Sequence, residues 1–491
     1  MKSKKIIIIG SGFGGLAAGC LLAAHGHQVE IFEKREQAGG RAYSYSFNQF
    51  SFDGGPSVIT APDLLREIFS RARKKQEAYF QLVPVNPFYR IFNSQGIFFD
   101  YSNEIGSMRE QIQHLSPEDV KGFEKLMKAL NLGSSINPDL LQKPQTHFFD
   151  LLKTAPALFK LENEPDLFEF VGQFIHDEFL KHALSFHPLL IGSNPFKTSA
   201  SLLLNMKKEL EHGVFYPVGG TKSIIHGLVK LFNELGGKLH LNQDVKQIVT
   251  QQGRAIGVRL KDNSVLQANV VISNADTAYT YQSLLEPSLR KKNTDRRFNK
   301  LEYSFSLFVI YFGTSRRYTD TNLAHHNILI NVPYQKLVED IFYRKILSTN
   351  AFLYLHMPTL TDSSIAPPGC ESFYVMSPVP DLSAKLDWAQ ISRSYRDQIL
   401  DYLEENYLPD LKANIIAEHY LTPLHFKQTL NSHLGAAYAT QNISTQSNWF
   451  RPHIQSEDVN NLYFVGAGTQ PGAGLPAVLY SALFVDRLIN K

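Results

Sequence analysis

The hydrophobic pattern at the start of the chain predicts alternating strands and helices. Residues 6–9 are four consecutive isoleucines, a run typical of a strand that is buried on both faces. Residues 13–24 are rich in alanine and leucine, and residues 28–32 are again mostly apolar. A short strand, a longer helical stretch and a second short strand indicate a parallel βαβ unit. We therefore predict an α/β fold.

A glycine-rich turn joins the first strand to the helix. Gly10, Gly12 and Gly15 have the spacing G-x-G-x-x-G, and Glu33 follows the second strand. In such a turn the first glycine permits a tight bend, the second lets the backbone approach a pyrophosphate, and the third lets the helix pack closely on the strand. The helix N-terminus attracts the phosphates, and an acid about 20 residues on accepts hydrogen bonds from a ribose hydroxyl. This arrangement predicts a dinucleotide site.

A signal peptide or a membrane span is the alternative for the same region. Residues 6–24 carry no charge and follow three lysines, which imitates both. However, five glycines interrupt the run, no small-residue cleavage site follows it, and the second strand continues the fold. We therefore favour the nucleotide turn.

Composition bounds the class of protein. The 491 residues suggest two or three subdomains, and 43% hydrophobic with 19% charged residues indicates a globular chain. A net charge of +3 gives no reason to expect a nucleic-acid partner. Cys20 and Cys370 alone make neither a disulfide framework nor a metal site, which favours a reducing compartment. The 34 phenylalanines and 22 tyrosines are either ordinary core or the lining of a large apolar cavity.

The middle and the end of the chain each carry a further glycine-containing block. Residues 213–221 precede a helical stretch at 222–235 and short apolar runs at 238–241, 244–250, 255–260 and 270–276. Alternating polarity and a turn at Gln252 and Gly253 predict a β-meander followed by a strand that returns to the main sheet. Residues 461–476 indicate a strand, a glycine turn and the start of a terminal helix.

The residues after Glu33 resemble the extended FAD signature of the amine oxidase and phytoene desaturase superfamily. The match consists of Gly39-Gly40-Arg41 and of residues 52–56, Phe-Asp-Gly-Gly-Pro. The resemblance implies that Gly40 and Arg41 approach the phosphate and ribose of FAD. It also implies that the backbone of Val245 holds the adenine. A solvated loop is the alternative for Arg41.

Stretches along the whole chain resemble the bacterial and fungal phytoene desaturases, a family of carotenoid desaturases. They are residues 52–60, 185–196, 323–326, 353–356, 361–367, 445–452 and 461–476. In the last stretch the resemblance implies that Gly468, Ala473 and Pro476 lie at a helix N-terminus that faces the flavin, where the helix dipole suits the charge of the reduced ring. One departure is Gln470, where many members have histidine. Related C30 desaturases and carotenoid end-group oxidases share much of this tail, so substrate length stays open.

The resemblance implies a Rossmann-type FAD-binding domain assembled from three segments, with an inserted α+β substrate domain. We predict the FAD-binding segments at 1–75, 211–300 and 426–491. The inserted parts are a mainly helical region at 76–210, which faces substrate and membrane, and the rest of the substrate domain at 301–425. Within them we predict helices at 117–130, 165–184 and 388–407 and strands at 304–312, 352–356 and 373–377.

The resemblance also implies an activity, the stepwise desaturation of a C40 polyene from phytoene towards neurosporene and lycopene. FAD would accept hydride, and a quinone or oxygen would accept the electrons. Because a C30–C40 hydrocarbon does not diffuse freely in water, we expect peripheral attachment at the cytoplasmic face of a membrane. The alternatives are an NAD-linked dehydrogenase, a carotenoid oxygenase or isomerase, and a flavin-free lipid-binding protein.

The candidate proton acceptors are Asp177 and Asp53. Family members carry an acid and a base near residues 176–181, so the resemblance implies catalysis by Asp177 with Lys181, four residues apart on one face of the predicted helix. An exposed ion pair worth ~0.3 kcal/mol is the alternative. Asp53 lies either beside the flavin or in a turn that it caps.

Other charged residues have plainer interpretations. His187 is expected to form hydrogen bonds with polar groups of a buried loop rather than to transfer protons. Arg451 either faces the cofactor or caps a turn. Residues 62–75 form an amphipathic helix that could lie on anionic lipid, but we prefer a soluble helix whose cations complement its dipole. Residues 290–300 hold six cations around one acid, which we interpret as a solvated linker, with a lipid-facing patch as the second choice.

Overall fold

The computed structural model describes residues 2–132, 165–198, 202–348 and 352–491. In chain order the strands are β1 Lys5–Ile9, β2 Gln28–Phe32, β3 Ser44–Phe47, β4 Phe50–Asp53, β5 Leu82–Pro84, β6 Tyr89–Asn93, β7 Phe98–Tyr101, β8 Phe215–Pro217, β9 Lys238–His240, β10 Val245–Gln251, β11 Arg254–Leu260, β12 Val265–Gln267, β13 Val270–Ser273, β14 Ser306–Thr314, β15 His326–Ile330, β16 Phe352–His356, β17 Glu371–Val379, β18 Ile415–Leu421 and β19 Leu462–Phe464.

The α-helices connect and cover these strands. They are Phe13–Ala24, Pro62–Arg71, Ile105–Leu115, Val120–Leu132, Leu167–Gly172, Glu178–Ser185, His187–Leu190, Leu203–His212, Lys222–Glu234, Thr277–Tyr279, Asp295–Phe298, Tyr334–Val338, Trp388–Asn406, Leu411–Asn414, Pro423–Gln428 and Leu475–Ile489. Among the described residues, no helix combines the length and the apolar character needed to cross a membrane.

A five-stranded parallel sheet forms one half of the molecule, in the order β19-β13-β1-β2-β9. Its strands come from three separate parts of the chain, at 5–32, 238–273 and 462–464. The predicted α/β fold built from three segments is confirmed. The domain boundaries that we drew around these segments stay a prediction.

The central strand β1 is buried on both faces because each face carries a layer. Ile6 and Ile8 pack against the helices Phe13–Ala24, Lys222–Glu234 and Leu475–Ile489. Ile7 and Ile9 point to the opposite face and pack against the antiparallel meander of β10, β11 and β12. Alternate residues of one strand therefore serve two cores, as the period of a strand requires.

A seven-stranded sheet forms the second half, in the order β18-β14-β17-β16-β15-β6-β7. Most neighbours are antiparallel, while β15 and β6 are parallel. Helices prevail among the described residues of 76–210, as we predicted, and strands β6 and β7 are an addition that we did not predict. These two strands form a hairpin that Gly96, with φ +77°, turns, and long-range pairing with β15 brings this hairpin into the sheet. Residues 133–164 of that region lie outside the described part of the chain.

The two basic stretches are packed against the protein. The apolar side of the helix Pro62–Arg71 is core, with Leu65 and Phe69 fully buried, so it is not available to lipid and the soluble helix is confirmed. In the second stretch Arg290 is buried and paired with Asp295, and Asp458 accepts hydrogen bonds from the backbone N–H groups of residues 291–293. Residues 290–300 therefore dock on the protein through a few buried residues, while Lys291, Lys292, Arg296 and Lys300 are exposed, as expected for a solvated stretch.

Candidate functional site

The turn after β1 is shaped for a phosphate. Gly10 has φ +90°, a left-handed conformation that glycine adopts without strain. Gly12 is the N-cap of the helix Phe13–Ala24, and no side chain of the described residues caps that helix end. A Cβ on Gly15 would lie 2.2 Å from the carbonyl oxygen of Gly10, so only glycine lets strand and helix approach this closely. The N–H groups of the first helical turn are thus available to an anion.

Glu33 lies beside this turn at the end of β2. Its Oε2 accepts hydrogen bonds from the backbone N–H and the hydroxyl of Ser11, each at 2.9 Å, and its Oε1 accepts one from the N–H of Arg35 at 3.0 Å. Glu33 is buried and lines the same cavity as Gly10 and Gly12. This position at the carboxyl end of a strand next to β1 is where nucleotide folds recognise a ribose.

The turn after β1, Glu33 and Asn274 together form a nucleotide cradle. Our sequence reasoning missed Asn274. It follows β13, the strand that pairs with the other side of β1, and it lines the cavity. A Cβ on Gly12 would lie 2.8 Å from Nδ2 of Asn274, and a Cβ on Gly14 would lie 2.7 Å from its Oδ1. The signal was present in the sequence, because a polar residue directly after a buried parallel strand lies at the ligand-binding edge of such a sheet.

The residues predicted for the ribose, phosphate and adenine also line this cavity, namely Gly40, Arg41 and Val245. Nη2 of Arg41 donates a hydrogen bond to the Ser432 hydroxyl at 2.8 Å, and its Nε is buried with no partner among the described residues. Burial lowers the pKa of Arg41, and the nearby carboxylate of Asp276 opposes this shift. A buried guanidinium with an unused N–H suits an anionic ligand group.

The C-terminal tail brings a second helix N-terminus to the cavity. Ala473 and Pro476 line it, and Gly474 begins the helix Leu475–Ile489 without a side-chain cap. Gly468 does not line the cavity. A Cβ there would lie 2.5 Å from Oγ1 of Thr277, so Gly468 allows the preceding turn to pack and does not face the cavity as the resemblance implied.

Arg451 holds this tail in place from inside the protein. It is fully buried and donates hydrogen bonds of 2.7–3.3 Å to the carbonyl oxygens of residues 440, 441, 467 and 469 and to Oδ1 of Asn442. Burial lowers its pKa to about 10, so it remains a cation at neutral pH. We expected Arg451 either to face the cofactor or to cap a turn. It instead joins the backbone of two loops.

The cavity has a volume of about 660 Å³ and continues from the nucleotide cradle over one face of the seven-stranded sheet. Alternate residues form that floor because side chains of a strand point to alternate faces. Leu307 and Val309 of β14, Met376 of β17 and Leu421 of β18 point into it, and Val309 is the cross-strand partner of both Met376 and Leu421. Further apolar lining comes from Leu190, Ile191, Phe426, Leu430, Ala437 and Tyr438.

A buried acid and imidazole lie in the cavity wall. His187 Nε2 is 3.0 Å from Oε2 of Glu209, and both residues are buried and line the cavity. Nδ1 of His187 has no partner among the described residues. Our expectation that His187 satisfies buried polar groups agrees with this contact. Glu209 was missed, because a glutamate within Lys-Lys-Glu-Leu-Glu has the pattern of an exposed helix face.

Asp177 and Lys181 do not form the predicted pair. The predicted helix at 165–184 is two helices, and Asp177 caps the second by accepting a hydrogen bond from the N–H of Leu180 at 2.9 Å. Lys181 pairs with Glu178 instead. Neither Asp177 nor Lys181 lines the cavity. Their catalytic role stays a prediction, and no contact of theirs supports it.

Asp53 ends β4 behind the cavity wall, while the adjoining Gly54 and Gly55 line the cavity. Its Oδ1 accepts a hydrogen bond from the N–H of Thr221 at 2.7 Å, and its buried Oδ2 has no partner among the described residues. Burial raises the pKa of Asp53 to about 6, and the bonds from Thr221 oppose this shift. Its contacts are those of a loop-fixing residue, and its catalytic role stays a prediction.

Comparison with known proteins agrees with this geometry. Residues 13–485 match the family described as flavin containing amine oxidoreductase. The chain is 42% identical to phytoene desaturase (lycopene-forming) of Pseudescherichia vulneris over 98% of this chain and 97% of that protein. It is 32% identical to the 4,4'-diapophytoene desaturase (4,4'-diapolycopene-forming) of a Methylomonas species, over 100% of this chain and 96% of the relative.

A solved structure shares the fold. An oxidoreductase from Methanosarcina mazei superposes with a TM-score of 0.62 at 19% identity, covering 99% of this chain and 100% of that one.

Proposed function

The chain belongs to the family of flavin containing amine oxidoreductases, and on that premise we propose that it is an FAD-dependent desaturase of a C40 carotenoid precursor. It introduces C=C bonds into phytoene and converts it towards neurosporene and lycopene. The observation that carries the proposal is a continuous cavity in which a nucleotide cradle adjoins an apolar sheet face. The fall in identity from 42% with a phytoene desaturase to 32% with a diapophytoene desaturase favours C40 over C30.

The residues around the cavity fit FAD. Gly10, Gly12 and the uncapped helix Phe13–Ala24 would receive the pyrophosphate, and Glu33 would bind the ribose. Arg41 has a buried N–H that finds no partner within the described part of the chain and would serve an anionic group. The second uncapped helix, Leu475–Ile489, offers its positive end where a flavin ring gains negative charge. When bound, FAD supplies a hydride acceptor.

The chain's own contribution to desaturation is to hold and desolvate the polyene. The apolar floor of Leu307, Val309, Met376 and Leu421 offers a hydrocarbon chain no competing hydrogen bonds and excludes water. Removal of two hydrogens also requires a group that takes a proton. Ser57 and Glu209 both lie in the cavity wall, where a proton acceptor is needed, whereas Asp177 does not line the cavity.

Expression in a host that accumulates phytoene tests the proposal. We expect the colourless host to become coloured and the extracted pigments to be lighter than phytoene by even numbers of hydrogens. A second host that accumulates the C30 analogue is expected to yield far less pigment. Uncoloured phytoene, or pigment from the C30 host alone, would overturn the C40 assignment.

We further propose that the protein attaches peripherally to the cytoplasmic face of a membrane. Phe450 is 48% exposed yet also lines the cavity, and Trp449, Lys207 and Lys208 line it as well. An exposed aromatic ring at a cavity that lysines also line suits an anionic lipid surface. Attachment there would let the hydrocarbon enter without crossing water, and it would bring a lipid-soluble quinone within reach as electron acceptor, with oxygen as the other acceptor.

Replacing Phe450 by aspartate is expected to lower the affinity for liposomes that contain phosphatidylglycerol by roughly tenfold, because it removes an inserted ring and adds a repelled charge. Sedimentation with liposomes measures this. Ile416→Asp is the matched control, since Ile416 is 50% exposed and does not line the cavity. Equal binding of the two variants would place the lipid contact elsewhere.

A further inference from the structure

Three buried histidines lie side by side behind the cavity wall. His326 opens β15 and His356 ends β16, and the two are direct cross-strand partners. His325 comes immediately before, and all three are buried. Both stretches, 323–326 and 353–356, are among those that resemble carotenoid desaturases. None of the three histidines lines the cavity, so they serve neither the nucleotide nor the apolar floor.

Hydrogen bonds join His326 to the cavity. Ser57, Tyr354 and Tyr374 line the cavity. The Ser57 hydroxyl lies 3.2 Å from the Tyr354 hydroxyl and 2.5 Å from that of Tyr374. The Tyr354 hydroxyl is in turn 2.6 Å from Nδ1 of His326. A continuous path of groups that can each donate and accept a proton therefore runs from the cavity surface to the first histidine.

The other two histidines are connected to the outside. Nε2 of His356 lies 3.0 Å from Nε2 of His325, and Nδ1 of His325 lies 2.6 Å from the hydroxyl of Thr361. Thr361 is exposed. This second path therefore runs from His356 to solvent.

The two paths meet between His326 and His356. Their rings stack with centroids 5.1 Å apart and an angle of 11° between the ring planes. Nε2 of His326 and Nδ1 of His356 are buried and have no partner among the described residues. One ring nitrogen of each histidine lies within 4.8 Å of one ring nitrogen in each of the other two, so the gap between the two paths is confined to these neighbouring rings.

We propose that Ser57, Tyr354, His326, His356, His325 and Thr361 form a proton-exit path for the desaturation reaction. The proposal rests on the proposed function. In each desaturation one carbon of a CH2–CH2 unit loses hydride to FAD, which takes both electrons. The neighbouring carbon loses a proton, and its C–H electron pair becomes the new double bond. That proton passes along the path to solvent at Thr361.

Neutral histidines are suited to such a path. A neutral imidazole donates through one nitrogen and accepts through the other, so a proton can enter on one side while another leaves on the far side. Burial lowers the pKa of His325 to about 3 and those of His326 and His356 well below their usual range, so none retains the proton. An allylic cation is acidic enough to protonate weak bases of this kind.

A metal ion is the other occupant that three histidines suit. The 3.0 Å distance between the two Nε2 atoms of His325 and His356 is that of a hydrogen bond, in which one nitrogen would give a proton and the other its lone pair. An ion held by both nitrogens would need both lone pairs and would break this bond. Elemental analysis of the purified protein therefore distinguishes a proton-exit path from a metal site.

The test is a single anaerobic turnover of the FAD-loaded enzyme in liposomes that contain phytoene, with weak buffer and a pH-indicator dye. Flavin absorbance reports hydride transfer, and the dye reports the proton that reaches water. In the wild type the two signals are expected to coincide. In His356→Phe, and in His356→Gln should the first variant lose its fold, the dye signal should lag flavin reduction by at least tenfold. His182→Gln is the control, because His182 is buried and bonds to Tyr334 outside the path.

The outcomes separate the possibilities. Normal FAD content and melting temperature, no bound metal and a delayed dye signal in the His356 variants alone support the path. An undelayed dye signal with normal flavin reduction overturns the path and leaves the desaturase intact. About one metal ion per chain, lost in His356→Phe, also overturns it in favour of a metal site. A wild-type flavin that phytoene does not reduce overturns the desaturase and the path together.

Discussion

Valine at position 12 is expected to give a folded protein that retains less than about a tenth of the normal FAD. A Cβ at this position would lie 2.8 Å from Nδ2 of Asn274, and the branched side chain would extend into the space that a pyrophosphate needs at the helix N-terminus. The ratio of flavin to protein absorbance after purification measures the loss, and circular dichroism checks the fold.

Gly106→Val is the matched control for this experiment. A Cβ on Gly106 meets nothing within 4 Å, and Gly106 lies in the helix Ile105–Leu115 away from the cavity. That variant is expected to bind FAD normally. Full flavin content in Gly12→Val would mean that the turn after β1 is not the phosphate site.

Replacing Arg451 by methionine is expected to destabilise the protein by about 3 kcal/mol or more. The change removes the donors of five hydrogen bonds and leaves buried carbonyl oxygens around the tail without partners. Arg451→Lys keeps the charge but offers a single nitrogen in place of the planar fork, so it should rescue only part of the loss. Thermal unfolding measures both effects.

Arg109→Met serves as the control for Arg451→Met. Arg109 is an exposed partner of Glu124, and loss of such a pair changes stability by about 0.5 kcal/mol or less. An Arg451→Met protein with the melting temperature of the wild type would show that the hydrogen bonds of Arg451 do not stabilise the tail.

Local patterns predicted the nucleotide half well because its signals are local. The strand, glycine turn, helix and Glu33 follow one another within 33 residues. Each also has one physical task, so the pattern leaves few alternatives. The return strand β13 joined the main sheet as predicted, and the tail strand β19 pairs with it, since buried parallel strands are recognisable as short apolar runs.

The catalytic region could not be predicted in the same way. From the apolar periodicity we predicted one helix at 165–184, which includes Asp177. An aspartate that follows a glycine such as Gly172 is, however, a signal for the start of a new helix. Glu209 and His187 meet across 22 residues, and Tyr354 meets His326 across 28. Packing of two helices creates the first contact and strand pairing the second, and no local pattern predicts either.

The measurement that tests the central claim most directly is the mass of the product formed in one anaerobic turnover with phytoene. FAD-loaded protein in liposomes is mixed with phytoene, flavin reduction is followed to completion, and the lipids are extracted for mass spectrometry. A desaturase with FAD as hydride acceptor predicts a product two hydrogens lighter than phytoene for each FAD reduced. Unchanged phytoene beside oxidised flavin, or a product that has gained oxygen, would contradict it.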